Sequence, residues 1–448
     1  MILADVYDGR NMEGVKRGDI KKLLVLETLP MPIHYTGGME PISYGGTFTL
    51  ERILGTVPVE KDGSAYFEVP AMRSVFFVAL DGNDLSVKRM QSFTSVQPGE
   101  VMSCTGCHEH RTQTPQYSFQ QIAALKRAPN KIEPIADMPD VIDFPRDIQP
   151  IFNRHCVKCH DYDERNTSRV FLTGDRGPMF SDSYFTLTAR SQIADGRNKP
   201  QSNYAPRALG SSASPLINKL DSRHYEVNVS PLDKKKIRLW IDSGAAYPGT
   251  YASLGTGTVG SYTENQPSRE DLNWPSTQQA IKTIKQRCGN CHAGDFALPL
   301  HVSDNRARHP WELLAPDDSR RRLSRNLVFN LTRPEKSMML LAPLSRAAGG
   351  FGYCTNKTDF GDIFSNTEEA DYKIILTAIR DAGKRLDEIK RFDMPGFQPR
   401  TDWVREMKRY GILSEDWQRG QPINVYEIER KYWESLWYSP KSLLSKHP

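Results

Sequence analysis

Three copies of Cys-x-x-Cys-His punctuate this chain, at Cys104-Thr-Gly-Cys107-His108, Cys156-Val-Lys-Cys159-His160 and Cys288-Gly-Asn-Cys291-His292, and they take six of its seven cysteines. Two thiols separated by two residues can add to the two vinyl groups on one edge of a haem. The histidine directly after the second thiol is then carried beneath the iron as an axial ligand. The pattern predicts a c-type cytochrome with three covalent haem c groups, each with its iron held by His108, His160 or His292. Structural zinc is the alternative, with Cys104/Cys107 and Cys156/Cys159 forming a Cys₄ site. That reading leaves Cys288/Cys291 without a partner pair and gives no reason for a histidine after every pair. Disulfides between the close cysteines ignore the histidines equally.

A chain of 448 residues exceeds what one compact core supports, and about two to four domains are expected. Lys and Arg number 59 against 54 Asp and Glu. They are spread without a basic block, so nucleic-acid binding has no support. No apolar run approaches the roughly eighteen residues of a membrane helix. The first residues, Met1-Ile-Leu-Ala-Asp-Val-Tyr-Asp-Gly9, contain no basic n-region and no cleavage site of small residues, so they do not read as a secretory signal. Haem c is attached outside the bacterial inner membrane. A periplasmic location is therefore expected from the cofactor, and the chain is expected to be an N-terminally truncated piece of a longer exported protein.

The patterning predicts an α+β multidomain protein: a β-rich haem-bearing domain over 1–130, then mainly α cytochrome c-like domains over 141–250 and 270–448. Ala65, Phe67 and Val69 alternate with polar neighbours as in a half-buried strand. Val75–Leu80 and Leu85–Met90 flank the turn Asp81-Gly82-Asn83-Asp84. Residues 127–140 and 250–270 read as linkers. Ile148 and Phe152 stand eight and four residues before Cys156, and Ala280 and Ile284 stand at the same distances before Cys288. Both pairs predict a helix that presses an apolar face on a haem edge. Ser230, Pro231 and Asp233 start a helix whose stripe is Ile237, Trp240 and Ile241. Another helix is expected from about Glu369 to Ile389. The tail after Thr401 carries Trp403, Trp417, Trp433 and Trp437 and is expected to wrap back onto the domain.

A haem iron with two strong axial ligands moves electrons, whereas one with an open position can do chemistry. The second ligands therefore decide function. For the second motif the candidate is His224, in the loop before the Ser230-capped helix. His155 is tied to the proximal side. For the third it is Met394, in Arg391-Phe-Asp-Met-Pro-Gly-Phe397, with Met338, Met339, His301 and His309 as rivals and Cys354 read either as a thiolate ligand or as a buried thiol. For the first motif, His34 and His110 are the candidates, for iron, for a second metal or for hydrogen bonds to a propionate.

Gly46-Thr-Phe-Thr-Leu-Glu-Arg-Ile-Leu-Gly-Thr-Val-Pro-Val59, Asp62-Gly-Ser-Ala-Tyr-Phe-Glu-Val-Pro-Ala71 and Arg89-Met-Gln-Ser-Phe93 through Ser103-Cys-Thr-Gly-Cys-His-Glu109 resemble the middle domain of the hydrazine synthase alpha subunit family. Asp147–Cys156 through Trp240–Ala245 is similar to the cytochrome domain that follows it, so the resemblance covers about residues 1–250. The third motif resembles planctomycete-type multihaem cytochromes and lies outside that pattern. The resemblance implies a β-propeller preceding the middle domain. It also implies an activity in which hydrazine is made from nitric oxide and ammonia at the first haem. In the family the motif histidine there turns to zinc and a tyrosine four residues on takes the iron. This chain has Thr112 at that position, with Tyr117 nearest, so His108 is expected to ligate iron in the ordinary way. The family's second haem has two histidine ligands, which implies His160 with His224.

Two functions from different classes follow. One is a multihaem electron-transfer protein with a redox protein partner, or other subunits of a haem complex, as its neighbour. The other is a haem oxidoreductase acting on small nitrogen compounds at the first haem. A zinc-stabilised interaction module is the reading left if no haem is attached.

Overall fold

The computed structural model describes residues 1–32, 42–44, 49–107, 122–163, 166, 168–194, 203–257, 259, 262–263, 266–267, 269–304, 319–355 and 361–439. Alternating apolar residues near the N-terminus build an antiparallel sheet of order β3-β2-β5-β6, from β2 (Ile20–Thr28), β3 (Glu51–Pro58), β5 (Val75–Asp81) and β6 (Ser86–Arg89). A short second sheet joins β1 (Ile2–Leu3) to β4 (Ala65–Tyr66) and, in parallel, to β7 (Ser103–Cys104). The strand read at 65–69 is regular over Ala65–Tyr66 and continues only as a parallel bridge from Phe67 to Asn130, with Ala65 and Phe67 buried as the alternation requires. The β5–β6 turn closes because the Asp81 carboxylate accepts the amides of Asn83 and Leu85 at 2.9 and 3.0 Å.

The two-residue period of β2 serves two cores at once. Leu24 and Leu26 face one core; Leu23 and Val25 face the other. The second face packs on the N-terminal segment and the first Cys-x-x-Cys. The first packs directly on the helical module that carries the second motif, through Phe144, Phe152, Tyr184, Trp240 and Tyr247. The sheet and this module therefore share one hydrophobic core. Residues 127–140 run along the sheet edge, where Glu133 pairs with Thr56 and the Ile53 amide donates to the Asp140 carbonyl at 2.7 Å.

The helical part contains α1 (Gln149–His155), α2 (Asp182–Ala189), α3 (Pro231–Asp242), α4 (Pro275–Cys288), α5 (Arg325–Val328), α6 (Met338–Leu341), α7 (Ala370–Ile389), α8 (Thr401–Arg409) and α9 (Val425–Ser435). As the sequence predicts, the Ser230 side chain caps α3 by accepting the Asp233 amide at 3.0 Å, and Ile237, Trp240 and Ile241 are buried. Helix α7 buries Tyr372, Ile375, Ile379, Ala382 and Leu386 against Ile284 of α4 and Met339 of α6. The tail does pack back, but on the N-terminal sheet rather than on the third module that carries it. Trp403 and Trp433 are buried with Leu29, Leu50 and Tyr251, and the Arg52 guanidinium lies 5.3 and 5.2 Å from the ring centres of Trp433 and Trp437. Among the described residues no helix is long and apolar enough to cross a membrane.

Candidate cofactor sites

The second motif is built by α1. Ile148 and Phe152 are fully buried, and Cys156 packs against the same core. The helix ends as the motif begins: the Cys156 amide donates to the Phe152 carbonyl at 2.8 Å and the His160 amide to the Cys156 carbonyl at 3.0 Å. This tight turn keeps both thiols and the imidazole together. His160 Nδ1 faces the Val170 carbonyl at 3.0 Å, which fixes the ring and leaves Nε2 as the ligating nitrogen. Burial, with smaller contributions from His224 and Lys219, lowers the His160 pKa and favours the neutral form that a metal requires.

Opposite stands His224. Its ring centre is 6.1 Å from that of His160 and the two planes are 11° from parallel. Two metal–imidazole bonds of about 2 Å, plus about 1 Å from each ligating nitrogen to its ring centre, add to ~6 Å. The ring-centre separation equals that of two imidazoles on one metal ion. The loop achieves this through Tyr225 and Glu226, both with positive φ (48° and 58°), a conformation that reverses the chain beside the histidine at an energetic cost.

The third motif repeats the first half of this construction. Ala280 and Ile284 of α4 are buried, Cys288 packs on their core, and the His292 amide donates to the Cys288 carbonyl at 2.9 Å. His292 Nδ1 again faces a backbone carbonyl, that of Phe296, at 3.1 Å. Met394 lies in the same core, with its sulfur 3.4 Å from the Arg391 amide of its own turn. His301 is buried with Nδ1 3.1 Å from Asp271, whose carboxylate also accepts the Ser303 amide at 2.9 Å. A carboxylate behind one ring nitrogen is how metal-binding histidines are commonly oriented. Burial raises the Cys354 pKa, with Cys291 raising it further.

Around the first motif, β7 carries Cys104, paired with β1, and the amides of Ala4 and Asp5 donate to the carbonyls of Cys104 and Thr105 at 2.9 and 3.0 Å. Glycine is required where the two segments cross. A Cβ on Gly106 would stand 1.6 Å from the Asp8 carbonyl oxygen, and one on Gly9 would stand 2.0 Å from that of Cys107. His34, His108, His110, Thr112, Tyr117 and His309 lie outside the described residues. Among the described residues no three His, Cys, Asp or Glu side chains gather as for a metal ion, so Cys104/Cys107 and Cys156/Cys159 do not form a Cys₄ cluster.

Sequence reasoning missed the Val170 and Phe296 carbonyls, which carry no side-chain signal, and the Asp271 support of His301.

The sheet leading into the first Cys-x-x-Cys, over residues 18–109, matches the family described as hydrazine synthase alpha subunit middle domain. Among solved structures, Kuenenia stuttgartiensis hydrazine synthase is similar at 18% identity and a TM-score of 0.41, over 55% of this chain and 43% of that one. The chain thus spans less than half the length of that solved chain. Comparison with curated proteins gave no match.

Proposed function

We propose that this chain is a periplasmic multihaem c-type cytochrome that binds three covalent haems and transfers electrons to or from a redox protein partner or other subunits of a haem complex. The haems would be held by Cys104, Cys107 and His108 in a β-rich domain over 1–130, by Cys156, Cys159 and His160 in a domain over 141–250, and by Cys288, Cys291 and His292 in a domain over 270–448. His224 would be the second iron ligand of the middle site and Met394 that of the last. When bound, such a group supplies one-electron redox chemistry.

The observation that supports the reading is the His160–His224 pair, whose ring centres lie 6.1 Å apart with nearly parallel planes. The chain's own residues orient the proximal ring through the Val170 carbonyl, exclude water with Ile148 and Phe152, and hold the opposing ring on a reversed loop. An iron with both axial positions filled transfers electrons without binding a substrate.

A second reading, a haem oxidoreductase acting on small nitrogen compounds at the first haem, is favoured by the family match, which spans Cys104, Cys107 and His108. The test is the absorption spectrum of the reduced protein, made with a c-type maturation system, with and without carbon monoxide. Three low-spin haems that ignore carbon monoxide are expected for the electron carrier. One haem that binds it, lost in the Cys104→Ala/Cys107→Ala variant, would select the enzyme. No covalent haem would overturn both.

A further inference from the structure

Three arginines from distant parts of the sequence meet around a cleft of about 130 Å³ between the second and third modules. Arg169 lies two residues before the end of the Val170–Phe171 segment that supports His160, Arg190 terminates α2, and Arg322 precedes α5. The floor is apolar, made by Phe171, Met338 and Tyr353. Arg190 is half-buried, and its Nη2 donates to the Arg169 carbonyl at 3.1 Å. The Arg169 guanidinium lies 3.6 Å from the Tyr353 ring centre, and its backbone adopts a positive φ of 56°.

Among the described residues no carboxylate pairs with any of the three. Burial, then Arg322 and Arg169, lowers the Arg190 pKa, the sign of like charges gathered without a counter-ion. Elsewhere in this interface arginines are neutralised: Arg333 pairs with Asp161 and Asp175 at 2.7 Å, and Arg391 with Asp393 at 2.9 Å. A strained backbone and uncompensated charge both cost stability. Guanidinium forks around a small cleft are suited to oxygen pairs on carboxylate or phosphate.

We propose that the cleft formed by Arg169, Arg190 and Arg322 binds a compact oxyanion group, carboxylate or phosphate-like, whose apolar remainder rests on Phe171, Met338 and Tyr353. The anion comes either from solution or from a propionate of a haem on this same chain.

Calorimetric titration of the full-length holoprotein with inorganic phosphate, at ionic strength held constant with chloride, distinguishes the sources. Saturable binding that weakens at least about tenfold in both Arg190→Gln and Arg322→Gln identifies an anion taken from solution. Failure of the wild type to bind phosphate, with Arg190→Gln shifting the midpoint potential of one haem at an unchanged melting temperature, identifies an internal propionate. Arg322 is exposed, so its replacement keeps the fold. If phosphate heats are equally weak in wild type and variants, and no haem potential moves, the proposal is overturned. Haem attachment is read from the absorption spectrum and anion binding from the phosphate heats, so the two readings fail separately.

Discussion

The second and third motifs begin alike and finish differently. Each follows a helix that buries apolar residues four and eight positions upstream, and each turns its histidine's Nδ1 onto a backbone carbonyl. At the second, the ring centre of another imidazole, His224, lies 6.1 Å away. At the third, the sulfur of Met394 is engaged by its own turn, while His301 is held by Asp271. The common half is local and repeats with the sequence. The half that differs comes from remote loops, and a shared motif does not specify it.

The largest expected effect lies at the second site. Replacing His224 with Ala should convert one low-spin haem to a five-coordinate form that binds carbon monoxide, read in the reduced spectrum. An unchanged spectrum would remove His224 as a ligand and dissolve the contrast between the sites.

At the third site, Met394→Ala should produce a similar conversion with His301→Ala silent. The reverse result would make both sites bis-histidine and the two modules alike.

A smaller effect is expected where the modules meet. Arg333 joins Asp161, next to His160, to Asp175 and shares that carboxylate with Asn330. Because Arg333 is about one-third exposed, its replacement by Ala should cost on the order of 1–2 kcal/mol. Hydrogen exchange should then rise at the interface before either module's core; uniform global destabilisation would show instead that the modules do not open separately.

The smallest concerns pH. Burial raises the Asp143 and Asp242 carboxyls, both in the second module, to about 6. A raised carboxyl favours the protonated folded state. Its contribution is therefore present below the ordinary carboxylate range and lost as pH rises through about 6. The second module should loosen as pH rises from about 4 to about 6, by up to ~3 kcal/mol per group. Asp242→Asn should flatten that dependence in module-resolved hydrogen exchange, and an unaltered slope would assign it elsewhere.

Much of the helical framework was readable before any coordinates. The Ser230 cap, the Ile237–Trp240–Ile241 stripe and the long amphipathic α7 emerged where expected, because periodicity and capping act within a few residues. The β5–β6 hairpin was equally legible from its turn chemistry. What misled was the linker-like composition of 127–140. Its Pro, Ala and Asn suggest a free connection, yet Glu133 and Asn130 pair with the sheet edge, since backbone groups pair whatever side chain they carry.

The sequence by itself determined the three attachment motifs, the helices that present two of them and the β-rich start that resembles the hydrazine synthase alpha middle domain. Those features depend on residue spacing along a single stretch of chain. Only the tertiary structure decided that β2 walls the first motif off from the second, that His224 faces His160, and that three arginines converge without a carboxylate. These arrangements join residues tens to hundreds of positions apart. Their register is set by the packing of whole modules, for which no local sequence pattern exists.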